Sequence, residues 1–126
     1  MTSLQLSNQY LADSLLATGF PYYDFGKRDA YLKLLGELMP KCRGLRRLGS
    51  AALDLAYTAC GRFDAFFEYS LAPWDVAAGA FIVEEAGGIV SDFSCGDDYL
   101  FGKEILATNR GINKEMAELL ISHFKA

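Results

Sequence analysis

The chain predicts an α/β layered domain of about five strands with four helices between them. Three observations carry that expectation. Short apolar or aromatic runs bounded by glycine and proline alternate with longer runs whose apolar residues recur at three- and four-residue steps. One helical run, opening at Pro73 and closing on Gly87-Gly88, is built largely from small residues, which suits packing on a sheet. At 126 residues, 52% hydrophobic and 22% charged, the chain is long enough for one core over residues 1–126 and shows no repeat or low-complexity stretch.

The elements follow in order. Leu4 to Tyr10, polar with spaced leucines, reads as a loop or short turn. Ser14 to Thr18 is an apolar run ended by Gly19 and Pro21 and reads as a buried strand. From Lys27 to Met39 the residues Tyr31, Leu34, Leu35 and Leu38 share one helical face, and Pro40 stops the run. Cys42 to Leu48 mixes basic and apolar residues in a strand that ends at Gly49. Ser50 then caps a helix carrying Ala51, Ala52, Leu55, Ala56 and Ala59, which Gly61 closes. Phe63 to Tyr69 is an aromatic strand. In the next helix Pro73 and Asp75 mark the first turn, Val76, Ala77, Ala80, Val83 and Ala86 form the apolar stripe, and Ala78 and Gly79 let a neighbouring backbone come close. Trp74 is taken as a packing anchor. Gly88 to Phe93 alternates as a strand, Ser94 to Asp98 turns, and Glu104 to Thr108 is the last strand. Asn113 is expected to cap a final helix bearing Met116, Leu119, Leu120 and Phe124.

Charge and cysteine usage narrow the function classes. A net charge of -4 offers nucleic-acid phosphates no basic field, so the cluster Lys41, Arg43, Arg46 and Arg47 reads as an interface or a solvated face. Cys42, Cys60 and Cys95 are odd in number and widely spaced, which supports neither a disulfide framework nor a zinc site and fits a reducing cytoplasm. No apolar run approaches the ~20 residues of a membrane span. Because patterned sequence begins almost at once after Met1, the chain is expected to start inside a larger protein.

Ligands of open α/β sheets collect beyond the carboxyl ends of strands and at helix N-termini. Glu68 ends the aromatic strand, Asp75 opens the next helix, and Gly49-Ser50-Ala51 opens the helix before that strand, so all can face one crevice. Ionised carboxylate oxygen beside backbone N–H groups suits a hard cation such as Mg²⁺ or the hydroxyls of a ligand. From the residues alone Asp75 reads more commonly as a helix-start acid, and Glu68 reads equally as an exposed strand-end acid. Asp92, Asp97 and Asp98 are explained by Asx turn chemistry. Glu84 and Glu85 read as solvated, and His123 lies far from any paired acid or nucleophile. No nucleophile-elbow, Walker or dinucleotide motif is present.

Trp74-Asp75-Val76-Ala77-Ala78-Gly79 running to Glu85-Ala86-Gly87-Gly88 resembles the C-terminal signature of the inositol monophosphatase family. Ala17-Thr18-Gly19-Phe20-Pro21, Arg46-Arg47-Leu48-Gly49-Ser50-Ala51-Ala52 and Gly61-Arg62-Phe63-Asp64 leading to Glu68 match in the same order. The resemblance implies the C-terminal half of that fold, with a five-stranded mixed sheet, and a Mg²⁺-dependent phosphomonoesterase that works as a homodimer. By the same resemblance Asp75 would bind a catalytic metal near the substrate hydroxyls, Glu68 would hydrogen-bond those hydroxyls, Ser50 and Ala51 would touch the polyol, and Arg46 would lie near the dimer contact. The implied ligand is inositol monophosphate or a related sugar phosphate; fructose-bisphosphate, histidinol-phosphate and nucleotide 3′-phosphate stay open. The family's Gly-Glu-Glu and Asp-Pro-x-Asp-Gly motifs, which supply most of its metal ligands, are absent from this sequence. The expectation is therefore a substrate-side domain, inactive alone, with a non-catalytic assembly partner of the same fold as the alternative.

Overall fold

The computed structural model describes residues 9–20 and 26–124, so the lead-in expected at Leu4 to Tyr10 lies outside it apart from its last two residues. Five strands and four α-helices follow: β1 Leu15–Thr18, α1 Arg28–Leu38, β2 Gly44–Arg46, α2 Ala51–Ala59, β3 Ala65–Tyr69, α3 Pro73–Glu85, β4 Ile89–Ser91, β5 Glu104–Thr108 and α4 Asn113–Phe124. A 3₁₀ turn over Leu11–Asp13 precedes them. The sheet order is β2-β1-β3-β5-β4, with β2, β1 and β3 parallel and β5 antiparallel to both its neighbours. The sheet is mixed.

Strands are shorter than the apolar runs that suggested them, and each limit has a cause. Edge strand β2 pairs only where β1 offers a partner, Leu15 to Ala17, so the run Cys42 to Leu48 contracts to three residues. Asp64 is withdrawn from β3 because its backbone N–H bonds Leu15 O at 2.8 Å and its carboxylate takes the Leu15 N–H at 2.9 Å. Asn113 is the first residue of α4 but not its cap. Its amide donates to Thr108 Oγ1 at 2.9 Å, while Asn109 Oδ1 accepts the Ile112 N–H at 3.0 Å and closes the turn before the helix.

Alternation along the strands divides the core in two. Leu16, Phe67 and Leu106 point to the layer of α1 and α4, where they meet Tyr31, Leu34, Leu38, Met116 and Leu120. Ala17, Phe66, Ile105 and Ala107 point the other way, toward Leu55 on α2 and Val76, Ala80 and Val83 on α3. Both helices of this second layer end in the same closure. Gly61 and Gly87 take φ of 85° and 95°, and the N–H groups of Arg62 and Gly88 return to Tyr57 O and Val83 O at 2.9 Å each.

The outward side of α3 differs from expectation. Trp74 is 83% exposed, Phe81 63% and Ile82 48%, and Ala77 is exposed as well. Trp74 anchors nothing among the described residues. Since α3 is apolar on every side, periodicity alone could not say which face meets the sheet.

Close approach of α2 and α3 rests on Gly79. A Cβ there would stand 2.6 Å from Leu55 Cβ and 2.7 Å from its Cδ1. Leu55, on α2, is buried against α3, so Gly79→Ala forces the pair apart and is expected to lower stability by about 1–3 kcal/mol, read as a fall in Tm.

Candidate functional site

Because β2, β1 and β3 run parallel, their carboxyl ends emerge along one edge of the sheet, where α2 and α3 also begin. The chain leaves β1 toward α1 on one face and leaves β3 toward α3 on the other. A crevice must open where neighbouring strands part in this way. It is a cavity of about 410 Å³, lined by Gly19 and Phe20 after β1, Arg47 and Gly49 after β2, Ser50 to Ala52 at the start of α2, Glu68 near the end of β3, Ser70 and Leu71 after it, and Trp74 and Asp75 opening α3.

Each wall has a local cause. Two residues beyond Phe66 on β3, Glu68 shares its face and therefore belongs to the α2 and α3 side. Its carboxyl group lies where a side chain on Gly19 would be, and a Cβ there would overlap it. Gly19 is itself held by the Tyr31 hydroxyl, which donates to its carbonyl at 2.7 Å, and Thr18 Oγ1 ties β1 to Phe67 O at 2.8 Å. Ser50 Oγ accepts the Leu53 N–H at 3.3 Å and caps α2, whose first N–H groups, on Ala51 and Ala52, have no carbonyl a turn earlier to reach. Asp75 Oδ2 accepts the Ala72 N–H at 3.0 Å, which fixes the entry to α3. The guanidinium of Arg47 stands over the Phe20 ring at 5.1 Å. Ser70 holds a positive φ of 72° at the rim, with its N–H on Lys103 O.

The structure thus brings Ser50, Ala51, Glu68 and Asp75 to one cavity. It adds Gly19, Phe20, Arg47, Ser70 and Trp74, which the sequence reading did not assign to it. By sequence alone Arg47 belongs to a basic cluster that reads as an interface or a solvated face, and Trp74 reads as a packing anchor. Of the turn acids, Asp92 behaves as Asx chemistry requires, since its Oδ1 accepts the N–H groups of Ser94 and Gly96 at 2.8 Å each.

Electrostatically the cavity favours neutral acids. Burial, then the charge of Asp54, raises Glu68 to about 7, with Arg47 opposing and Asp75 adding. Burial raises Asp54, on α2, to about 6, again opposed by Arg47. Both folded values exceed the unfolded ones near 4. Between about pH 4 and 7 the folded chain therefore holds more protons than the unfolded chain, and stability falls as pH rises. Tm is expected to drop by several degrees from pH 5 to pH 8, and a Glu68→Gln, Asp54→Asn double variant should flatten that slope; scanning calorimetry at the two pH values checks it.

Among the described residues no group of three or more His, Cys, Asp or Glu side chains could hold a metal ion. Mg²⁺ needs near-octahedral oxygen ligation. Asp75, with one oxygen engaged by Ala72, brings a single carboxylate to it, so these residues do not by themselves fit the ion.

A mixed five-stranded sheet with paired helices on each face and an acid-lined cavity at the ends of its parallel strands defines an α/β layered protein with a ligand-sized crevice at one sheet edge. The chain matches the model of the inositol monophosphatase family over residues 2–126 and belongs to that family. It is 46% identical over 121 residues to the putative Nus factor SuhB of Neisseria meningitidis serogroup B, covering 95% of this chain and 46% of that protein. The crystal structure of extragenic suppressor protein suhB from Bartonella henselae superposes with a TM-score of 0.84 at 42% identity, over 90% of this chain and 44% of that one. Inositol monophosphate-bound SaIMPase-II, a staphylococcal protein, gives 0.79 at 28%, over 95% and 47%. The chain spans about half the length of these relatives. No helix among the described residues is long and apolar enough to cross a membrane.

Proposed function

We propose that this chain is the substrate-side domain of a Mg²⁺-dependent phosphomonoesterase that hydrolyses inositol monophosphate or a related sugar phosphate. The observation that carries the reading is the convergence of Glu68 and Asp75 with the opening turn of α2 in one cavity of a chain belonging to this family. Glu68 hydrogen-bonds hydroxyls of the polyol. Ser50 and the Ala51 N–H offer donors across from it, and Asp75 supplies an acceptor at the mouth of α3. Such a fixed set of donors and acceptors orients a polyol while its phosphate is presented outward.

Asp75 contributes one Mg²⁺ ligand, and the remaining ligands come from the part of the longer protein that this chain lacks. Chemistry at phosphorus belongs to that assembled protein, and the 126-residue chain alone releases no phosphate. The exposed apolar face of α3 supports this reading, because Trp74 lines the cavity and continues into Phe81 and Ile82, a surface of the kind that contacts another layer. On the same reading the protein is a cytoplasmic homodimer.

The test is Mg²⁺-dependent phosphate release from the longer protein carrying Asp75→Asn. A loss of at least about 100-fold in kcat/KM is expected for a carboxylate that touches both metal and ligand. Activity equal to the unaltered protein removes Asp75 from the mechanism.

A second reading, an assembly role without catalysis, is favoured by the Nus factor name of the SuhB relatives and by the exposure of Lys41, Arg43 and Arg46 on one segment. Native mass spectrometry separates the two. If this segment binds a partner, Arg43→Ala with Arg46→Ala abolishes the complex and leaves phosphate release by the longer protein intact; an unchanged complex rules that role out.

A further inference from the structure

Three residues other than glycine hold a left-handed backbone among the described residues: Ser70 at a φ of 72°, Cys95 at 64° and Lys103 at 64°. Cys95 and Lys103 belong to the connection between β4 and β5 and are not part of the cavity wall. Ser70 is. An L side chain in this conformation crowds its own backbone, and elsewhere in the chain glycine takes it, at Gly49, Gly61 and Gly87.

The left-handed turn has a visible origin. Strands β3 and β5 pair as far as Tyr69 and Glu104, and the N–H groups of Ser70 and Leu71 then both reach Lys103 O, at 2.6 and 3.4 Å. Two residues facing one make a bulge, whose left-handed first position is ordinarily held by glycine, and bulges beside active sites re-aim side chains. Backbone geometry alone would therefore place glycine at position 70, and the serine adds a Cβ and a hydroxyl. That hydroxyl makes no hydrogen bond among the described residues. The other serine of the cavity, Ser50, is already engaged as the cap of α2. A residue that bears a conformational cost while its polar group has no use inside the fold points to a use outside it.

We propose that Ser70 is a specificity-determining residue of the cavity, whose hydroxyl donates a hydrogen bond to a ring hydroxyl of the bound polyol. Its neighbour sets the chemistry. Glu68, two residues earlier, is buried and lines the same cavity. A ligand hydroxyl both donates and accepts, so it can give its proton to the Glu68 carboxylate while it accepts from Ser70. A ligand carboxylate has acceptor oxygens only and no proton to give. The pair Ser70 and Glu68 thus selects a hydroxyl at this rim. The inference rests on the polyol ligand of the proposed function, but its test needs no phosphate release.

The experiment titrates myo-inositol into the 126-residue chain, unaltered and as Ser70→Gly and Ser70→Ala, and follows the backbone amide NMR signals around the cavity. Both variants lack the hydroxyl; Ser70→Gly also relieves the backbone, and Ser70→Ala does not. The expected result is a Kd for myo-inositol raised about threefold to tenfold in both variants, with a higher Tm for Ser70→Gly alone. Weaker binding in a more stable variant is an outcome that a merely structural serine does not give. Bound myo-inositol with its Kd unmoved in the variants overturns the inference alone. A lower Tm for Ser70→Gly overturns it too, by making the serine a structural residue. An unaltered chain that takes up no myo-inositol overturns the inference together with the polyol ligand. Catalysis by the longer protein, tested with Asp75→Asn, can fail without altering any of these results.

Discussion

Everything at the cavity depends on Glu68 resting against a position that carries no side chain. Parallel pairing of β1 and β3 sets Thr18 opposite Phe67, so the residue after β1 and the residue after Phe67 meet at the sheet edge. Only glycine at position 19 leaves room for a carboxyl group there. The Tyr31 hydroxyl on the Gly19 carbonyl holds that backbone from the α1 side, so one layer of the protein steadies a wall built by the other. Sheet register, a missing Cβ and one buried hydrogen bond together put an acid at the mouth of a crevice.

The two helical layers are built for different neighbours. Helices α1 and α4 seal their side of the sheet with leucines and aromatic rings, including the contacts of Tyr69 and Phe93 with Phe124. Helices α2 and α3 pack tightly on each other and on the sheet, yet α3 leaves a tryptophan, a phenylalanine and an isoleucine outside. Apolar surface of that size gains free energy when covered. The span of the chain, about half of its relatives, makes a further layer of a longer protein the natural occupant in the proposed reading.

Much of this was legible in the residues. The alternation of elements, the glycine closures of α2 and α3 and the gathering of Ser50, Ala51, Glu68 and Asp75 follow from local rules about caps, period and strand ends. What escaped depends on three-dimensional neighbours. Nothing local distinguishes Asp54, a plain helical acid, from a solvated one; its burial is set by the sheet beneath it. Arg47 reads as one of four basic residues between Lys41 and Arg47 until the end of β2 turns it over Phe20. Trp74 is misplaced by any scheme that buries large apolar residues, because a helix apolar on all sides gives no direction. Ser70 holds a left-handed backbone that composition would have assigned to glycine.

The convergence at the sheet edge can be observed directly by proton NMR in the 126-residue chain. Cross-relaxation between the Gly19 Hα protons and the Glu68 Hγ protons is the critical measurement. A strong cross-peak, with Glu68 showing none to residues of the α1 and α4 layer other than Tyr31, is the predicted result. Glu68 Hγ protons correlated instead with Leu34 or Met116 would place that carboxyl group on the wrong side of the sheet and contradict the account.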